Sequence, residues 1–103
     1  MVRFLVLYPQ PADVGAFQRH YYDVHVPLAK KLPGLRSYTL SRDAAAIRGQ
    51  QPYYLVAELD WDDIASLRRD FASPIGQETA RDAGILAEMC PGMHSMVFEL
   101  EPQ

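Results

Sequence analysis

Val2 to Tyr8 is almost continuously apolar, rich in β-branched and aromatic residues and interrupted only by Arg3, the pattern of a strand covered on both faces. Pro9, Pro11 and Asp13 end it, and Asp13 is a good side-chain cap for a helix. Val14, Phe17, Tyr21, Val24, His25 and Leu28 then recur at three- and four-residue spacing and form one helical stripe. Pro27 disfavours helical geometry at Val26 and lacks a backbone donor. The helix is therefore predicted to kink or end near His25, with a short turn through Leu32 and a stop at Pro33-Gly34.

Leu35 to Arg42 alternates, with Arg36, Tyr38, Leu40 and Arg42 on one side, and predicts a second strand. Asp43 to Pro52 has no periodic stripe and predicts a surface loop. Strand character returns from Tyr53 to Leu59. Asp62 or Asp63 then caps a helix that turns Ile64, Leu67 and Phe71 inward, and Ser73-Pro74 starts another, with serine as cap and proline in the first position. The last helix has an apolar face of Ile75, Leu86 and Met89, on which Thr79 and Asp82 also fall if Gly84 leaves it regular. After Pro91-Gly92, Met93 to Leu100 alternates as a final strand. The order β-α-β-β-α-β is that of the ferredoxin-like plait, an α+β fold with a four-stranded antiparallel sheet and helices on one face. The strands carry bulky apolar side chains on both sides, so the helix-free face needs a cover, and back-to-back pairing of two sheets into an α/β barrel supplies one.

With 103 residues, 49% of them hydrophobic and 22% charged, the chain is expected to be a single globular domain over 1–103. A chain this short buries only about two-thirds of its unfolded surface, which adds a reason for homodimerisation. A formal charge of -3 gives no footprint for nucleic acid. The longest apolar run, Phe4 to Tyr8, is far too short to span a membrane. The amino terminus runs straight into strand-like sequence without a signal-peptide pattern, and a cytoplasmic location is expected. A single cysteine, Cys90, forms neither an internal disulfide nor a cysteine zinc site.

Phe17-x-x-x-Tyr21-Tyr22-x-x-His25-x-Pro27-Leu28, followed by Leu32-Pro33-Gly34-Leu35-Arg36-x-Tyr38, resembles the signature of the EthD family of the dimeric α/β-barrel superfamily. Ser73-Pro74-x-Gly76-Gln77 with Asp82 is similar to that family's second helical region, so the resemblance covers nearly the whole chain. Where the family continues with Asn-Phe after the aspartate, this chain has Ala83-Gly84-Ile85-Leu86. The resemblance implies a homodimer with a ligand cleft between sheet and helices. It also implies a small organic ligand, no tightly bound cofactor, and a functional link to an oxygenase, in a superfamily that includes cofactor-free monooxygenases, isomerases, cyclases and decarboxylases.

His25, on the edge of the apolar stripe near an expected helix end, is the candidate acid or base; there the helix dipole favours the protonated ring. The structural alternative is a histidine that caps the last carbonyls before Pro27. Asp82, a carboxylate on an apolar face, needs a partner, and His25 or Arg36 are the candidates. Tyr22, Arg36, Tyr38, Tyr54, Trp61 and Phe98 are the candidate walls and polar contacts for a flat ligand, while Tyr21 reads as packing. His20 and His25 are five apart, a spacing that does not share one face of an α-helix, and no metal-binding pattern occurs. The expected chemistry is isomerisation, cyclisation, dehydration or decarboxylation of a small apolar oxygen-bearing compound through an enolate-like species. Cofactor-free monooxygenation and non-catalytic carriage of the compound to an oxygenase are the alternatives.

Overall fold

A computed structural model describes residues 1–50 and 53–103 of the chain. Strands β1 (Val2–Tyr8), β2 (Ser37–Leu40), β3 (Leu55–Trp61) and β4 (His94–Glu99) form an antiparallel sheet in the order β2-β3-β1-β4. This is the ferredoxin-like plait. The continuous apolar run takes a central place, with Val2, Val6 and Tyr8 buried under the helices and Arg3, Leu5 and Leu7 half-buried on the opposite face.

Three strands differ from the expected bounds, β4 by only one residue at each end. β2 covers only Ser37–Leu40, the stretch that pairs with β3 from Asp60 to Ala57. β3 begins at Leu55, two residues late, and continues two further because its ladder with β1 runs from Tyr8 opposite Leu55 to Val2 opposite Trp61. A paired fork fixes that end, with the Arg3 guanidinium donating to both oxygens of Asp60 at 2.8 and 3.0 Å. No helix or strand forms from Asp43 to Gln50; Gln51 and Pro52, the end of the expected loop, lie outside the described residues.

Asp13 caps α1 (Val14–His20) by accepting from the Ala16 N–H at 3.0 Å. The helix does not end at His25. Tyr21–His25 form a π-helical turn, in which the Val26 N–H reaches the Tyr21 carbonyl, and α2 (Val26–Ala29) follows directly. A proline ring crowds the carbonyl one α-helical turn behind it and offers that carbonyl no N–H, so one widened turn ahead of Pro27 lets the helix pass through it. Asp63, not Asp62, caps α3 (Ile64–Ala72), and Ser73 caps α4 (Pro74–Met89) with Pro74 in its first turn. α4 stays regular through Gly84, so Asp82 remains on its inner face.

Trp61, Tyr8, Tyr21, Phe17 and Leu86 fill the layer between sheet and helices. The other sheet face has no helical cover, and Met96 and Phe98 are exposed there. Among the described residues, no helix is long and apolar enough to cross a membrane.

Candidate active site

A cavity of about 330 Å³ opens between the sheet and the helices. Phe4, Val6, Leu59, Leu67 and Phe71 supply apolar wall, with Val97 of β4, 44% exposed, and Ala80 and Ala83 of α4 also in the lining. The polar side chains that line it are Tyr8, Tyr21, Tyr38, His25, Thr79 and Ser95. The Thr79 hydroxyl is engaged with the Ile75 carbonyl of its own helix at 2.7 Å. Histidine and phenols are therefore the groups with chemistry to offer.

The π turn decides the geometry. Five residues advance a regular helix by about 140° beyond a full turn, which would send His20 and His25 to different faces. In a π turn the bonded pair is five apart, so the two imidazoles face the same neighbour. That neighbour is Asp82 of α4, 6% exposed, whose Oδ1 meets His20 Nε2 at 2.7 Å and whose Oδ2 meets His25 Nδ1 at 2.8 Å. The buried carboxylate is thus satisfied at both oxygens, as burial demands. One nitrogen of each ring is spent on a carboxylate oxygen, and no group of three or more residues able to hold a metal ion occurs among the described residues.

His25 is itself buried, yet only its Nδ1 has a partner among the described residues. Its Nε2 is not sealed among other atoms either, and the ring lines the cavity, so Nε2 opens to whatever fills that space. Burial pulls the His25 pKa below the ordinary histidine value, against the opposing hydrogen bond and charge of Asp82, with the charge of His20 also lowering it. This corrects the expectation of a ring charged by a helix end: the helix continues to Ala29, and desolvation dominates. A neutral imidazole held by a carboxylate at Nδ1 is set up as a base at Nε2.

The Tyr21 and Tyr38 hydroxyls meet at 2.6 Å, and the Tyr21 ring lies edge-on to Tyr8 and 5.3 Å from the His25 ring. Burial raises the pKa of all three phenols, that of Tyr38 to about 12. They remain neutral hydrogen-bond donors at physiological pH, suited to an oxygen that gains negative charge.

The other expected site residues lie elsewhere. Arg36 is exposed and forks onto Asp62 at 3.0 and 2.7 Å rather than pairing with Asp82. Trp61 is fully buried, its indole N–H donating to Asp70 at 2.7 Å, and it is not part of the lining of this cavity. Tyr54 accepts from the Gln18 amide and sits with the exposed Tyr22 in a polar recess on the outer surface. Phe98 is on the helix-free face of the sheet. Of the expected wall only Tyr38 lines the cavity, joined by Tyr8 and Tyr21, whose helical and strand spacing resembled plain packing. His20 was hidden by the assumption of an unbroken α-helix; an apolar stripe that continues past Pro27 to Leu28 was the one available hint of a widened turn.

The burial of His25 has a consequence for stability. The folded chain releases this proton at lower pH than the unfolded chain, so between the two values the unfolded state holds more protons and stability rises with pH. The contribution is present above about pH 6.5 and is lost as pH falls through the folded value. The melting temperature is expected to decline on acidification from about pH 6.5, and His25→Gln to flatten this decline. Thermal melts of both proteins across pH 4.5–8 would check it, and parallel curves would refute it.

The plait, its interior cleft and the buried cluster of two imidazoles on one carboxylate define a small α+β protein of ferredoxin-like fold. The EthD domain family matches residues 9–88, and the chain belongs to that family. It is 33% identical over 99 residues, 95% of this chain and 92% of the other, to an uncharacterized 11.0 kDa protein of the thcB-thcC intergenic region of Rhodococcus erythropolis. An ethyl tert-butyl ether D (EthD) family protein of Bacillus halodurans superposes with a TM-score of 0.85 and 32% identity, covering 98% of this chain and 99% of that one. SnoaB of Streptomyces nogalater, a cofactor-independent oxygenase, shares the fold with a TM-score of 0.69 and 20% identity over 99% of this chain and 94% of its own.

Proposed function

We propose that the protein is a cofactor-independent enzyme that removes a proton from the carbon beside a carbonyl in a small, largely apolar organic compound. The observation that carries this reading is His25, tied at Nδ1 to a buried aspartate and open at Nε2 to an apolar cavity. In the reaction the C–H electron pair moves toward the carbonyl, the proton passes to His25 Nε2, and one hydroxyl of the Tyr21–Tyr38 pair donates to the enolate oxygen while accepting from the other. Reprotonation at another carbon completes an isomerisation. Expulsion of a β-hydroxyl as water, protonated by the His25 imidazolium, completes a dehydration, and attack of the enolate on a second carbonyl, whose oxygen takes the same proton, completes a cyclisation. The exposed apolar residues of the helix-free sheet face suit a homodimer, in which the cleft stays on the helical side.

A cofactor-free oxygenase uses the same first step, since an electron-rich enolate can itself react with oxygen; the likeness to SnoaB makes this the second reading. The deciding experiment incubates the protein in deuterated water with a panel of cyclic and aryl ketones and reads deuterium incorporation and oxygen uptake. Protein-dependent incorporation without oxygen uptake is expected. Incorporation with oxygen uptake favours the oxygenase. Binding of panel members with neither signal makes the protein a carrier, for example to a partner oxygenase, and refutes catalysis.

A further inference from the structure

His20 contributes nothing to the cavity, yet it meets the same carboxylate that holds His25. Its side chain is 23% exposed, against 10% for His25 and 7% for Asp82, so the two rings and the carboxylate between them lead from the cavity toward solvent. We propose that His20 is the solvent-side half of a proton relay. When His25 takes a proton at Nε2 from a compound in the cavity, His20 gives one up to water. This role rests on the proposed proton abstraction at His25.

The proton count closes without forming a carboxylic acid. Before transfer, His20 is the imidazolium, bonded through Nε2–H to Asp82 Oδ1, and His25 is neutral, bonded through Nδ1–H to Oδ2. Afterwards His25 is the imidazolium and His20 is neutral, still donating through Nε2–H after losing the proton on Nδ1, which has no partner among the described residues. One carboxylate thus faces one imidazolium throughout, which avoids two adjacent positive charges in a poorly solvated place. His25 is reset when it returns its Nε2 proton to the reacting compound, and His20 then regains a proton at Nδ1 from water on the far side of Asp82. The titratable groups around His25 are Asp82 from α4, His20 and Tyr21 from its own helix, and Tyr8 and Tyr38, which line the cavity from the sheet. The phenols are held neutral by burial, so Asp82 and His20 are the charges that act on it.

A purely structural His20 would do no more than satisfy Asp82 Oδ1, and glutamine can do that, since its amide nitrogen reaches the position of Nε2 but carries no exchangeable charge. Nitrogen-15 NMR of the three histidine rings across pH 4.5–9 separates the two cases. In His20→Gln the titration midpoint of His25 is expected to move up by about one pH unit, because the neighbouring positive charge is gone while glutamine keeps Asp82 Oδ1 occupied. An unmoved midpoint overturns the relay. If the variant does not fold, the wild-type protein still decides. Coupled rings give two-step curves for both His20 and His25, and independent single-step curves overturn the proposal. A His25 that titrates with coupling but supports no deuterium incorporation would refute the proposed reaction and leave the paired titration standing. Incorporation that depends on His25 but is accompanied by uncoupled titration would refute the relay alone.

Discussion

His25→Ala is expected to lower kcat for deuterium incorporation or turnover by about 10²–10⁴-fold, the usual worth of a positioned acid or base, while circular dichroism keeps the wild-type fold. The fold survives because Asp82 retains His20 at Oδ1, so the truncation does not strand a buried carboxylate. Asp82→Asn is expected to cost nearly as much by a different route. Nδ1 of His25 now faces an amide that can donate to it; the ring then carries its proton on Nε2, and no lone pair points into the cavity. The two variants are told apart by pH. His25→Ala leaves a residual rate without the histidine limb of the pH profile, whereas Asp82→Asn keeps the limb at a displaced position. Turnover unchanged in a folded His25→Ala protein would dispose of His25 as the base.

The sequence carried the plait well because its signals were local and agreed with one another: an apolar run at Val2–Tyr8, side-chain caps at Asp13, Asp63 and Ser73, and alternation around Tyr38 and Ser95. Register was harder, since β3 takes its ends from pairing with β1 and the Arg3–Asp60 fork, neither of which is a property of the segment itself. The site divided along the same line. His25 and Asp82 stood out as polar groups on apolar faces, and they do meet. His20 did not stand out, because its position depends on a change of helical pitch forced by Pro27, and a reading at 3.6 residues per turn sends it away from Asp82. Arg36 and Trp61 were drawn toward the cavity by chemistry alone; each is held instead by a carboxylate, Asp62 just before α3 and Asp70 on it, and these pairings are tertiary contacts that the periodicity of the helix does not specify.

The largest stability effect is expected from a position that touches no ligand. Gly76, in the first turn of α4, lies so close to α3 that a Cβ there would sit 2.0 Å from the Asp70 carbonyl oxygen and 2.5 Å from the Phe71 Cα. Both are backbone atoms, so no side chain can swing aside, and the helices must separate. Gly76→Ala is expected to destabilise the protein by about 3 kcal/mol or more, at the upper end of the cost of overpacking. Gly84 in the same helix has nothing within 4 Å of its would-be Cβ, and Gly84→Ala should stabilise by about 0.5–1 kcal/mol through helix propensity alone. Urea unfolding of the two variants therefore moves in opposite directions from the wild type, and movement in the same direction would contradict the close α3–α4 approach. The contrast reaches the site because Asp70 accepts from Gly34 N–H and Trp61 Nε1–H, so α3 is tied to the turn before β2 and to β3. That tight crossing and the Ser73 cap, which is hydrogen-bonded to the Asp70 carbonyl, set where α4 begins, and Asp82 follows Gly76 by less than two turns. A displaced α4 carries the carboxylate away from both imidazoles. Gly76→Ala protein that remains folded should therefore lose the low His25 titration midpoint's dependence on His20 along with its activity.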